Sequence, residues 1–236
     1  FDFSDIYVFK YYCVKMTLNK NIIKNELEES LGKLDISEYS RNDTLHPSLV
    51  TGSYCWQTTL SRKIDFNGVG LHSGNEVKVS IKPGKEDTGI TFIRTDLNGD
   101  IKKRKIKANY LFVSDTSLCT TIENEYGIKV STIEHIMAAF NGSGIDNAEV
   151  ELDNIEVPIM DGSSLPFLNL IEEAGITQQS AKRKILKILQ KVEVKEDNKT
   201  CSINPSNGFD FITEIDFDSL AVGKQSAALS IENYGF

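Results

Sequence analysis

The sequence predicts an α+β fold, on two observations. From residue 57 onward, short β-prone runs recur between turn signals such as Asn67-Gly68, Pro83-Gly84 and Asn98-Gly99. Two stretches break that rhythm with helical periodicity, at about 132–141 and about 165–174. Runs of strands with two embedded helices fit a layered α+β arrangement better than a doubly wound sheet, where strand and helix alternate.

The elements follow in order. Residues 1–56 begin with an aromatic-rich stretch carrying two early aspartates, then turn charged, with weak helical character at Ile23, Leu27 and Leu31. They lack the basic start and smooth apolar centre of a signal peptide, so they are expected to be a poorly ordered extension. Strands are expected over 57–65, 75–82, 89–94, 103–109, 118–123 and 128–131. The first helix places Ile133, Ile136, Met137 and Phe140 at i, i+3, i+4 and i+7, one apolar face. At about 100° per residue, His135 falls nearly opposite, among Ser131, Ala138 and Ala139, a small and uncharged surface on which something can pack closely. Strand 147–153 follows, and the second helix is opened by Ser163-Ser164 with Pro166 in its first turn, where proline is tolerated. Residues 175–183 are polar and read as a connection between two domains, before strands at 184–195, 199–204, 209–217 and 225–231.

Composition narrows the function. The 236-residue chain is 40% hydrophobic and 25% charged, ordinary for a soluble domain or two. Its net charge of -8 argues against non-specific nucleic-acid binding, which needs a basic footprint. No apolar run is long enough to predict a membrane span. Cys13, Cys55, Cys119 and Cys201 are scattered without CxxC spacing, which points to a reducing, cytoplasmic compartment.

Glu134-His135 carries the chemistry. A carboxylate beside an imidazole on a helix is raw material for a metal-bound water with a base next to it. The plainer reading is a capping box, Ser131-x-x-Glu134, in which the glutamate reaches back to a free N–H, with a structural histidine beside it. Gly68–Gly74 (GVGLHSG) reads as a tight turn around His72. Ile159–Ser164 (IMDGSS) reads as a turn leading into a helix cap, and Ser117–Thr121 (SLCTT) as a half-buried strand with Cys119 in the core.

Taken in order, these segments together with Gly144-Ile145-Asp146-Asn147 and Val157–Ser163 closely resemble the UDP-3-O-acyl-N-acetylglucosamine deacetylase family, zinc amidases of lipid A synthesis in Gram-negative bacteria. The resemblance runs from about Gln57 to the C-terminus and includes Phe209–Asp218. It implies two similar α+β domains, each a small sheet with helices, the helices sandwiched between the sheets: a first over 57–180 and the start of a second, incomplete one over 181–236. It implies hydrolysis of the N-acetyl group of a UDP-linked acylated glucosamine, with Zn2+ holding the water. On the matching motif positions, Glu134 is the implied general base, His135 a zinc ligand, and Leu118, Cys119 and Thr120 contributors to the substrate site.

The chain also departs from the family pattern. The family carries a later Arg-Thr-Phe-Gly-Phe-type segment, a His…Asp pair that completes the zinc site and a further His, and no histidine follows His135 here. The expectation is therefore either the N-terminal part of such an enzyme, inactive alone and completed by a complementary C-terminal fragment, or a catalytically inactive truncated remnant or scaffold. Fraying beyond residue 180 is expected on the same ground.

Overall fold

The computed structural model describes residues 56–183, 188–206 and 210–230. Apart from Trp56, the expected N-terminal extension lies outside the described residues. The α+β architecture is observed, as a mixed five-stranded sheet backed by two helices.

The sheet has the order β2-β3-β9-β4-β5, with β2 Ile64–Val69, β3 Glu76–Pro83, β9 Ala148–Leu152, β4 Ile90–Arg94 and β5 Lys105–Lys107. Every neighbouring pair is antiparallel except β4 and β9. Register places one apolar residue per strand in a single row: Ile64 opposite Ile81, Ile81 opposite Val150, Val150 opposite Phe92 and Phe92 opposite Ile106. All five are buried. The alternate positions of β3 and β9 face outward and pair as Lys82–Glu151, at 2.6 Å. This is the alternation of a sheet with one wet face.

Helices α1 (Glu134–Gly142) and α2 (Leu165–Ala174) cover the apolar face. Ile136, Met137, Ala139 and Phe140 of α1 and Phe167, Ile171 and Ala174 of α2 are buried against the sheet residues. Phe167 meets Phe66 of β2 edge-on, ring centroids 5.9 Å apart. Each fully buried aromatic contributes about 1.5–3 kcal/mol of transfer free energy. Helix α1 ends where Gly144 takes φ 71°, letting its N–H reach Asn141 O and the Ile145 N–H reach Phe140 O. A small sheet of β6 Val113–Asp115, β7 Thr121–Glu123 and β8 Lys129–Val130 adds Ile122 and Val130 to the core.

Several expected boundaries change. The run 57–65 is two strands, β1 Trp56–Leu60 and β2, separated by the exposed Ser61-Arg62-Lys63. The run 103–109 shortens to β5, because Ile101–Arg104 forms a 3-10 turn capped by the Asp100 carboxylate. Residues 175–183 are not a connection. They contain β10 Ile176–Lys182, antiparallel to β1. Polar side chains hold this strand: Gln179 Oε1 accepts from Asn147 Nδ2 at 2.7 Å, its Nε2 donates to Gly84 O at 2.9 Å, and the Ser180 N–H donates to Glu86 Oε1 at 2.6 Å.

The Gly144–Asn147 motif ties these strands together. Asp146 takes a two-pronged contact from Arg183 (Nε to Oδ1 2.8 Å, Nη2 to Oδ2 2.6 Å) and accepts from the Thr58 N–H at 2.8 Å. Asn147, 1% exposed, donates to Gln57 and Gln179 and accepts from the Gly89 N–H. Farther along, β11 Val192–Glu196 pairs with β12 Lys199–Ile203, and β13 Asp210–Asp216 pairs with β14 Lys224–Ser230. The main core runs from Leu60 to Ala174 and takes no residue from these two ribbons. Among the described residues no helix is long and apolar enough to cross a membrane.

Candidate active site

The N-terminal end of α1 is built by three segments that meet there. Ser131 pairs with the 155–157 strip, its N–H donating to Ile155 O at 2.9 Å and its carbonyl accepting from the Val157 N–H at 3.1 Å. Thr132 then turns the chain with φ 56°, a left-handed conformation rare for a β-branched residue and costing about 1–3 kcal/mol. Ile133 returns to helical backbone, and Glu134 is the first residue of α1.

This geometry excludes the capping box. Ser131 lies outside the helix, with its hydroxyl 3.5 Å from Ile155 O, and α1 has no side-chain cap. The Glu134 carboxylate instead crosses to another loop, where its Oε2 accepts from the Thr120 N–H at 3.0 Å. The carbonyl of the same residue, Thr120, accepts from the Ile133 N–H at 3.4 Å. The backbone N–H and carbonyl of one residue therefore bracket the helix start and orient the carboxylate.

His135 is half-buried, on the face of α1 opposite Ile133, Met137 and Phe140. Asp161, in the Met160–Ser163 turn, lies within its electrostatic reach. The Ser163 hydroxyl and N–H hold the Asp161 carboxyl below the ordinary range, with a smaller contribution from His135. Reading the IMDGSS segment as a turn into a cap is correct as far as it goes, since the Leu165 N–H donates to Ser163 Oγ at 3.2 Å. It overlooks that the turn brings a carboxylate within electrostatic reach of His135. Met160 (φ 55°) gives no sequence signal of that bend.

The SLCTT segment is not a half-buried strand. Residues 117–119 form a bend, and β7 begins only at Thr121. Leu118 is 82% exposed, Cys119 is half-buried with Sγ 3.8 Å from Thr121 Oγ1, and Thr120 is buried. Cys119 is therefore not a core residue. The bend turns the Thr120 N–H toward Glu134, which a continuous strand would spend on its own ladder.

The GVGLHSG loop packs from the other side. Gly68 lies so close to Pro158 that a Cβ would sit 2.7 Å from Pro158 Cβ. The Ile159 N–H donates to Val69 O at 3.1 Å. His72 itself is exposed, and its backbone N–H, with that of Ser73, points to the carboxylate of Glu156. Burial pushes the Glu156 carboxyl up, but N–H groups of His72 and Ser73 and the hydroxyls of Ser73 and Thr132 outweigh it, leaving the group below its ordinary range.

A catalytic zinc takes three protein ligands. His135 offers one imidazole, and among the described residues no group of three or more His, Cys, Asp or Glu converges. The described residues therefore do not make a zinc site by themselves.

Residues 57–236 match the LpxC family, UDP-3-O-acyl N-acetylglycosamine deacetylase. The UDP-3-O-acyl-N-acetylglucosamine deacetylase of Neisseria meningitidis serogroup C, serotype 2a, is 45% identical over 179 residues, 76% of this chain and 58% of its own length. Those of Pasteurella multocida and Chromohalobacter salexigens are each 46% identical, over 71% and 75% of this chain and 54% and 57% of their own lengths. The chain thus spans a little over half the length of these relatives. It belongs to the UDP-3-O-acyl N-acetylglycosamine deacetylase family.

Proposed function

We propose that the chain acts in the hydrolysis of the N-acetyl group of a UDP-3-O-(3-hydroxyacyl)-N-acetylglucosamine, the lipid A deacetylation, in the cytoplasm. Glu134 is its general base and His135 one ligand of the zinc ion. The observation that carries this reading is the Glu134 carboxylate, fixed at the start of α1 by the Thr120 N–H and adjacent in sequence to His135. Held this way, the carboxylate is oriented by a backbone donor to act as base toward an attacking water. Zinc, when bound, supplies the polarisation of that water and of the amide oxygen. The Thr120 N–H orients the base, and Leu118, Cys119 and Thr120 are the residues we assign to the substrate site.

We further propose that 57–180 is the first deacetylase domain and 181–236 the start of a second. The core drawn from Leu60 to Ala174 supports this division, with β10 moving the junction a few residues later. The remaining zinc donors then come from a complementary segment of the family's later sequence.

The test is acetate release from UDP-3-O-acyl-N-acetylglucosamine. It compares this chain with its Glu134→Gln variant, each mixed with zinc and the C-terminal part of a relative. Glu134→Gln is expected to lower kcat by about 10²–10⁴-fold. Turnover undiminished by that change would remove Glu134 from the role of base. A complex that forms and releases no acetate would favour the inactive scaffold.

A further inference from the structure

Thr132 is the joint between the Ser131 strip and α1, and its left-handed backbone is held from outside. Its hydroxyl donates to Glu156 Oε1 at 2.9 Å. The same oxygen accepts from the His72 N–H at 3.0 Å, and Oε2 accepts from the Ser73 N–H at 2.8 Å. Glu156 is 1% exposed, so this carboxylate has exchanged water for donors from two separate segments. Its neighbours Ile155 and Val157 bond the backbone of Ser131 on either side. Gly70 closes the arrangement, since a Cβ there would lie 2.4 Å from Glu156 Oε2.

From Thr132 the base is two residues away. The turn at Thr132 decides where Ile133 and Glu134 begin the helix, and so whether the Thr120 backbone can meet both of them. We infer that Glu156 is a positioning residue: it locks the left-handed Thr132 turn and the His72–Ser73 loop together, and thereby holds the Glu134 carboxylate against the Thr120 N–H. The inference rests on the reading of Glu134 as base, but its geometry can be read without turnover.

Two variants test it in the full 236-residue chain. Glu156→Gln keeps the size of the side chain and replaces one acceptor by a donor. Thr132→Val keeps the β-branched shape and removes only the hydroxyl. The reporter is the Thr120 amide proton by NMR, with Glu134→Gln marking its position when the carboxylate is lost. Both variants are expected to move the Thr120 signal toward that position and speed its hydrogen exchange about tenfold. In the complemented deacetylase assay, kcat is expected to fall about ten- to a hundredfold with KM held within about twofold. If Glu156→Gln does not fold, Thr132→Val decides. A Thr120 amide unmoved in folded variants overturns the inference and leaves Glu156 a structural carboxylate. Absence of acetate release from the unmodified chain in the complemented assay would instead count against the deacetylase reading, with the Thr120 comparison still informative.

Discussion

Strands β3 and β13 are alike in length and unlike in surroundings. In β3 (EVKVSIKP) the alternate residues Val77, Val79 and Ile81 are at most 2% exposed. In β13 (DFITEID) Ile212 is 84% exposed and Ile215 41%. Both have a hydrogen-bonded neighbour. What β3 has in addition is a second neighbour, β9, and two helices laid over its apolar side, whereas β13 pairs only with β14 among the described residues. Pairing with a neighbour forms the pleated backbone; burial needs a covering layer, and the two are separate facts about a strand.

The contrast can be broken most sharply by truncating one apolar side chain in each region. Phe92→Ala, in the middle of the buried row, is expected to cost about 3–5 kcal/mol in urea unfolding. Ile212→Ala is expected to cost less than about 0.5 kcal/mol. Equal costs would mean that the β13 ribbon is covered in solution. A smaller difference should separate the polar contacts. Asp146→Asn removes the charge that Arg183 grips and is expected to cost about 1–3 kcal/mol, whereas Glu214→Gln, at the exposed pair with Lys224, should leave the unfolding midpoint unmoved. The last contrast is a slope. Glu156 has its folded carboxyl below the unfolded value, so its contribution is full above about pH 4.3 and is lost as pH falls through the folded value. Urea midpoints between neutral and acid pH should decline more steeply in the unmodified protein than in Glu156→Gln. Parallel declines would mean that the Glu156 carboxyl titrates alike in the folded and unfolded chain.

Much of the layered region was legible because its strands alternate around Val, Ile and Phe, and because both helices present apolar stripes. Helix α2 begins at Leu165 and ends at Ala174, where Pro166 and Gly175 place its limits. β10 was not legible, because amide and hydroxyl contacts to Asn147, Gly84 and Glu86 stabilise it, and no apolar pattern records these. Glu134-His135 stood out in sequence, but the capping pattern there was misleading. The Ser131 spacing assumes a regular helix start, and the Thr132 turn removes Ser131 from it. Nor did the sequence reveal Glu156, which resembles any surface glutamate after a turn until the His72 loop and Thr132 close around it.

Trp56 sits opposite Lys182 at the end of the β1–β10 ladder, and Gln57 Nε2 donates to the Lys182 carbonyl at 3.2 Å. The two ends of the layered region therefore meet. A segment whose ends adjoin can be spliced into a surface loop of a host protein, or joined head to tail and reopened elsewhere, without stretching its backbone. The Gly99 turn, where an added Cβ would meet nothing within 4 Å, is the natural place for the new ends. A permutant opened there would carry the Thr120–Glu134 contact on a chain of different order, separating what the architecture contributes to the site from what the sequence order does.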